Sequence, residues 1–294
     1  MNCYITSTGS FLPGDPVDNE NLPAYMGRLF GESKVREKIL RVNGIKRRHY
    51  ALDRKQNATH DVYELAALAA AGCLEGMEAK DRVEYLSAGS TKTPFVGPGL
   101  SSILHSRLKE KGLLDQPLEI NSNSGICSSA AQAFVNASRA IASGAKTGAL
   151  CVGVEQPSAI LKSSAIKPPR DWLNIMRDVR TSKWFMSVFL RFMLSDGAGA
   201  FLLENRPAPG RISFQVDWTF SRSFAHEAPL CMKLEGRSLL LSQDVEILTN
   251  HMKPCVQKVT EAALETNGET LADYKVVLPH LSSFFFRKNM LDVF

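Results

Sequence analysis

Asn121-Ser122-Asn123-Ser124-Gly125-Ile126-Cys127-Ser128-Ser129-Ala130-Ala131-Gln132-Ala133-Phe134 reads as a strand end, a tight turn and the start of a helix. Leu118, Glu119 and Ile120 close an extended run, Gly125 permits the turn, and Ala130, Ala131, Phe134, Ala137 and Ile141 recur on one helical face. Cys127 is therefore expected at or just before a helix N-terminus. There, unpaired N–H groups and the positive end of the dipole favour a thiolate, the nucleophilic form of cysteine. The small residues 128–131 suit a helix pressed against other backbone. The alternative is an inert buried thiol, since free cysteine packs well in cores.

Outward from this turn, strands and helices alternate. Residues 4–12 read as a strand closed by the turn cluster 13–16, and residues 21–41 as irregular helix followed by the basic loop 43–48. Asp61 and Glu64 form a capping-box pattern ahead of a helix, 83–89 is a short strand, and 100–112 is a helix stopped by glycine. Residues 148–155 read as a buried strand that ends in Glu155, and 195–204 as a glycine turn entering a strand. Past the boundary 207–210 the pattern resumes: a strand over 211–220, a helix over 242–267, a buried strand over 274–280 that delivers His280, and helix from 282. Alternation of this kind predicts an α/β fold, whose ligand sites gather at the carboxyl ends of strands. Ser90, Cys127 and Glu155 fall at such ends, and Phe95, Phe189 and Phe192 are candidate determinants of pocket depth.

With 294 residues, 44% of them apolar, the chain can bury a large core in one domain or two similar halves. Six cysteines (3, 73, 127, 151, 231, 255) are too far apart in sequence for a zinc knuckle or a redox pair, the usage of a reduced, cytoplasmic protein. No N-terminal leader pattern and no membrane-length apolar run is present. Residues 157–194 hold seven basic and two acidic side chains, an excess that equals the net charge of +5 of the whole chain. So local a charge suits a phosphate-bearing or acidic partner rather than nucleic acid; a solvated basic loop is the alternative. The segment 157–193, which includes Trp172 and Trp184, is expected to form a partly helical lid, or else a core-packing or dimer-contact insertion.

Cys127 and His280 make a plausible nucleophile and base, far apart in sequence. The words Ser124-Gly125-Ile126-Cys127-Ser128-Ser129, Leu194-Ser195-Asp196-Gly197-Ala198-Gly199-Ala200 and Leu278-Pro279-His280, with Gly44-Ile45-Lys46-Arg47-Arg48 ahead of them, resemble the ketoacyl-carrier-protein synthase III family of the thiolase superfamily. Within it, residues 190–197 and 279–286 look most like the ketosynthases that build dialkylresorcinols and cyclohexanediones, the DarB and StlD type. The resemblance implies a thiolase-like five-layered αβαβα fold of two similar halves, 1–206 with the nucleophile and 207–294 as an incomplete second half. It also implies a homodimer and a Cys-His-Asn triad. The cysteine would take an acyl group from a thioester, and the other two would stabilise the enolate of a second thioester as it attacks. Cys127 and His280 match. The asparagine does not appear, because the sequence stops fourteen residues past His280, so the resemblance implies a truncated chain.

Acyl carrier protein or coenzyme A thioesters are the expected substrates, with no metal or other cofactor. Arg47, Arg48, Arg287 and Lys288 are candidate contacts for the phosphate-bearing arm, and Glu155 is a candidate acid or base in the pocket. Three functions stay open on the sequence: ring-forming condensation of two acyl thioesters, a fatty-acid-initiating synthase or acyltransferase, and a non-catalytic paralogue that keeps the fold.

Overall fold

The computed structural model describes residues 1–29, 32–77, 80–166, 183–236 and 239–294. In chain order the elements are β1 (Tyr4–Phe11), β2 (Val17–Asp18), α1 (Leu22–Met26), α2 (Ser33–Asn43), β3 (Arg47–Arg48), α3 (Val62–Leu74), β4 (Tyr85–Gly89), α4 (Leu100–Glu110), β5 (Glu119–Asn123), α5 (Ser129–Ala142) and β6 (Gly148–Glu155). There follow α6 (Ser158–Leu161), α7 (Lys183–Arg191), β7 (Gly197–Glu204), β8 (Phe214–Gln215), β9 (Met232–Glu235), β10 (Leu240–Gln243), α8 (Val245–Asn267) and α9 (Arg287–Leu291). The α/β expectation is met. One six-stranded sheet runs in the order β5-β4-β6-β7-β1-β8. β4 is parallel to both β5 and β6, and β7 is antiparallel to β6 and β1.

Strand alternation sorts the side chains of this sheet to its two faces. Leu150, Val152 and Val154 of β6 pack with α3 and α4, while Ala149 and Cys151 of the same strand pack with Ala133, Ala137 and Ile141 of α5. Helices therefore cover both faces of β6, as a near-continuous apolar strand requires. α3 starts where Asp61 accepts the backbone N–H of Glu64 at 2.8 Å; the other half of the expected capping box is absent, because the Glu64 carboxylate pairs with Lys111 instead. α8 is likewise capped by Asp244 and ends on Gly268 in the left-handed conformation. A separate apolar cluster joins α1, α6, α7 and β10 through Leu22, Met26, Leu161, Val188, Leu190 and Leu241.

Three expectations are corrected. Residues 274–280 are not a buried strand: they pair with no other strand among the described residues, and Val276 and Leu278 lie exposed. Apolar alternation makes a strand only where a neighbour takes its N–H and C=O groups. The strand expected over 211–220 shrinks to β8, which pairs with Tyr4 and Ile5 for the same reason. The described ends of 157–193 are core rather than lid, since Ile160, Leu161, Met186, Val188 and Leu190 are buried and Arg191 is fully enclosed. Residues 167–182, with Trp172 and the basic residues Lys167, Arg170, Arg177 and Arg180, lie outside the described residues.

Candidate active site

β5 delivers the chain to a turn that Ser129 closes. Its Oγ accepts the N–H of Gly125 at 3.1 Å and donates back to the Gly125 carbonyl, so the turn and the first helical residue are tied together. α5 then lies close on the sheet. A Cβ added at Gly89 would sit 2.1 Å from the Ser129 carbonyl oxygen, and one at Gly153 would sit 2.4 Å from the Cβ of Ala130. Glycine at these two strand positions and small residues at 129 and 130 are what allow the approach, as the run of small residues predicts. Cys127 sits two residues ahead of α5.

At the carboxyl ends of β4 and β6 a cavity of about 1290 Å³ opens, and Cys127, Glu155 and His280 all line it. Its walls are mostly apolar: Ile5, Ile126, Ala130, Phe134, Val154 and Phe201 from the sheet side, and Trp218, Phe220, Met232 and Leu241 from beyond β7. Cys127, Glu155 and His280 are thus brought to one space. His280, itself exposed, reaches it from a segment that pairs with no strand among the described residues, rather than from the strand end expected.

The electrostatics differ from the expected helix-end thiolate. Cys127 is exposed on the open side of the cavity, yet partial desolvation pushes its thiol up, with further upward pushes from the Glu155 carboxylate and from Cys231, so the local helix end does not produce a thiolate. Burial also raises Glu155, to about 7, against two hydrogen bonds from Thr91 that pull it down. The Thr91 backbone N–H and Oγ1 both donate to Glu155 Oε1, at 2.8 and 2.7 Å. A carboxyl poised near neutrality exchanges protons in both directions at physiological pH.

One expected carrier contact, Arg48, is corrected. Arg48 is 1% exposed and donates to Asn19 Oδ1 at 2.6 Å and to the Phe192 carbonyl, which makes it a core cation beyond the reach of any substrate. Arg47, Arg287 and Lys288 are exposed but do not line the cavity. Arg191 of the basic segment donates to the Met26 and Gly27 carbonyls and pairs with Glu32 at 3.6 Å, wholly buried. Ser90, Phe95, Phe189 and Phe192 stay outside the lining, Phe192 because it is buried in the second cluster and Phe95 because it stacks on Tyr63. Asp196 of the Ser-Asp-Gly word is structural, accepting from the N–H groups of Ala51 and Ser158 at 2.7 and 3.0 Å.

Sequence reasoning missed Thr91, Lys92, Trp218 and Phe220. Thr91 carried a signal, as the second residue past a strand whose end was already marked; the other three carried none. Among the described residues, no group of three or more His, Cys, Asp or Glu could hold a metal ion, and no helix is long and apolar enough to cross a membrane.

No family profile matches the sequence. The fold does match solved structures. The chain superposes on the 3-oxoacyl-(acyl carrier protein) synthase III, FabH, of Pseudomonas aeruginosa PAO1 with a TM-score of 0.68 at 18% identity, covering 99% of this chain and 79% of that one. It superposes on AbyA1, a tetronic acid condensing enzyme, with a TM-score of 0.74 at 20% identity, covering 99% and 82%. For a single-substitution variant of OleA from Xanthomonas campestris the TM-score is 0.75 at 14% identity, covering 100% and 79%. The chain thus has the thiolase-like fold that the resemblance implied.

Proposed function

We propose that this protein is a condensing enzyme that joins two acyl thioesters through an acyl group held on Cys127. One observation carries the reading: a cysteine, a carboxyl poised near neutrality and a histidine line a single, largely apolar cavity at the strand ends of this fold. In the first half-reaction the Cys127 thiol gives its proton to Glu155, and its sulfur attacks the thioester carbonyl. The carrier thiolate leaves and takes the proton back. In the second half-reaction Glu155 removes a proton from the α-carbon of the other thioester, and His280 donates a hydrogen bond to the enolate oxygen. The new carbon–carbon bond forms as the acyl–sulfur bond breaks, and Cys127 recovers its proton from Glu155. One base thus serves both halves.

The substrate class follows from the walls. Ordinary ligand pockets span about 300–1,000 Å³, and this cavity exceeds that range with a mostly apolar lining, which suits two alkyl arms. Such a product is the dialkylresorcinol or cyclohexanedione type that the subtype words suggest, with coenzyme A or acyl carrier protein as the carrier and no further cofactor. A homodimer fits the edge of β5, which among the described residues pairs on one side only and leaves Ile120 exposed. A non-catalytic relative is the second reading, favoured by the unpaired segment that carries His280.

Product analysis separates the two. Incubation with a β-ketoacyl thioester and a second acyl thioester should release free carrier thiol and yield a product whose mass combines both acyl arms. Carrier release without any joined product would leave only thioester hydrolysis or acyl transfer, and no release at all would favour the non-catalytic reading.

A further inference from the structure

Thr91 bridges the carboxyl and the turn that bears the nucleophile. It follows β4, its N–H and Oγ1 hold Glu155 Oε1 at 2.8 and 2.7 Å, and the same Oγ1 lies 3.0 Å from the carbonyl oxygen of Ile126, the residue before Cys127. A hydroxyl carries one proton, so it donates to the carboxyl or to the carbonyl but not to both fully. While Glu155 is ionised, the charge-assisted bond to Oε1 is the stronger. Once Glu155 holds a proton that advantage falls, and the hydroxyl is free to turn to Ile126. Glu155 Oε2 has no hydrogen-bond partner among the described residues. Among the described residues the other ionisable groups facing the cavity are Lys92, Cys127, Cys151 and His280, and none of them hydrogen-bonds to Glu155. Asp196, beside the β7 residue that pairs with Glu155, is taken up by Ala51 and Ser158.

We propose that Thr91 is a positioning residue: it pins Oε1 of Glu155, leaves Oε2 as the oxygen that exchanges protons with the cavity, and passes the charge state of Glu155 to the peptide that bears the nucleophile. The proposal rests on the reading of Glu155 as the base for Cys127, and its test distinguishes the two. A structural threonine would only brace the loop. A positioning threonine also moves the pH at which Glu155 changes charge, because the hydrogen bond it donates favours the ionised carboxylate.

The readout is the rate of Cys127 alkylation by iodoacetamide in the whole protein across pH 5.5–9.5, followed on the Cys127 peptide by mass spectrometry. In the unaltered protein the logarithm of the rate rises with pH and bends near pH 7, where the new charge on Glu155 begins to hold the thiol back. Glu155→Gln removes the bend. Thr91→Val removes the hydroxyl and moves the bend upward by about one pH unit, since a hydrogen bond to a charged group is worth roughly 1.5 kcal/mol or more. Thr91→Ser leaves it in place, and Thr91→Ala carries the same expectation as Thr91→Val should the valine variant not fold. A bend that stays near pH 7 in Thr91→Val and Thr91→Ala but disappears in Glu155→Gln overturns the role of Thr91 and leaves Glu155 as the base. An unaltered protein that shows no bend, matching Glu155→Gln, overturns both.

Discussion

Adding one methyl group to Gly153 tests how the nucleophile is held. The new Cβ would lie 2.4 Å from the Cβ of Ala130, where ordinary contact begins at 3.4 Å, so α5 must back away from β6 by about 1 Å at a point three residues past Cys127. Overpacking of this kind costs about 1–3 kcal/mol. Ala130→Gly alone weakens the first turn of the helix by up to about 1 kcal/mol. The double variant removes the clash, because the Ala130 Cα then lies 3.4 Å from the new methyl. It should therefore be less destabilised than Gly153→Ala alone, with a favourable coupling of about 1–3 kcal/mol where additivity would predict none. Gly89→Ala is the contrast: its Cβ meets the Ser129 backbone at 2.1 Å, and no side-chain change can relieve it. Urea midpoints at constant slope give the stabilities. Initial rates of acyl transfer report the position of Cys127, where an error near 1 Å costs roughly 100-fold. Strict additivity of Gly153→Ala and Ala130→Gly would refute the packing that places the thiol.

Three other perturbations have signed outcomes. Glu155 holds its proton to about pH 7 in the folded protein against an ordinary value of 4.5, so the folded form binds more protons between those values and stability falls as pH rises through that window. Glu155→Gln should abolish this fall, gaining about 3 kcal/mol on the unaltered protein between pH 4 and 8; parallel urea curves at the two pH values would contradict it. Arg191→Ala leaves the buried Glu32 carboxylate unpaired and should lower stability by about 3–5 kcal/mol, with partial recovery in Arg191→Ala/Glu32→Ala, measured by the same denaturation. Arg48→Ala removes two hydrogen bonds donated by a buried cation and should lower the urea midpoint, a loss of about 2 kcal/mol or more, while leaving KM for the carrier thioester unchanged; a raised KM with an unchanged midpoint would restore Arg48 to the binding surface.

Features governed by neighbours in sequence were legible in advance. The cap at Asp61, the helix after Cys127, the buried run of β6 and its closing Glu155 all follow from periodicity and capping within a few residues. What the chain concealed depends on distant partners. Arg48 is buried by Asn19 and Phe192, 29 and 144 residues away, and nothing near position 48 distinguishes a core arginine from a pocket one. The direction of the Cys127 shift is set by burial and by a carboxylate on another strand, which together outweigh the local helix end. Residues 274–280 have the composition of a strand, yet a strand is defined by its partner, which composition does not name. The cavity brought Trp218 and Phe220 to Cys127 and Glu155 through a fold that no local pattern around them encodes.

The claim beneath all of this is that Cys127 accepts an acyl group inside the cavity it shares with Glu155 and His280. Intact-protein and peptide mass spectrometry after brief incubation with a long-chain acyl thioester addresses it directly. The account predicts one added acyl mass, located on Cys127 and absent from Cys127→Ala. Acylation that persists unchanged in Cys127→Ala, or that falls on another cysteine, would contradict it.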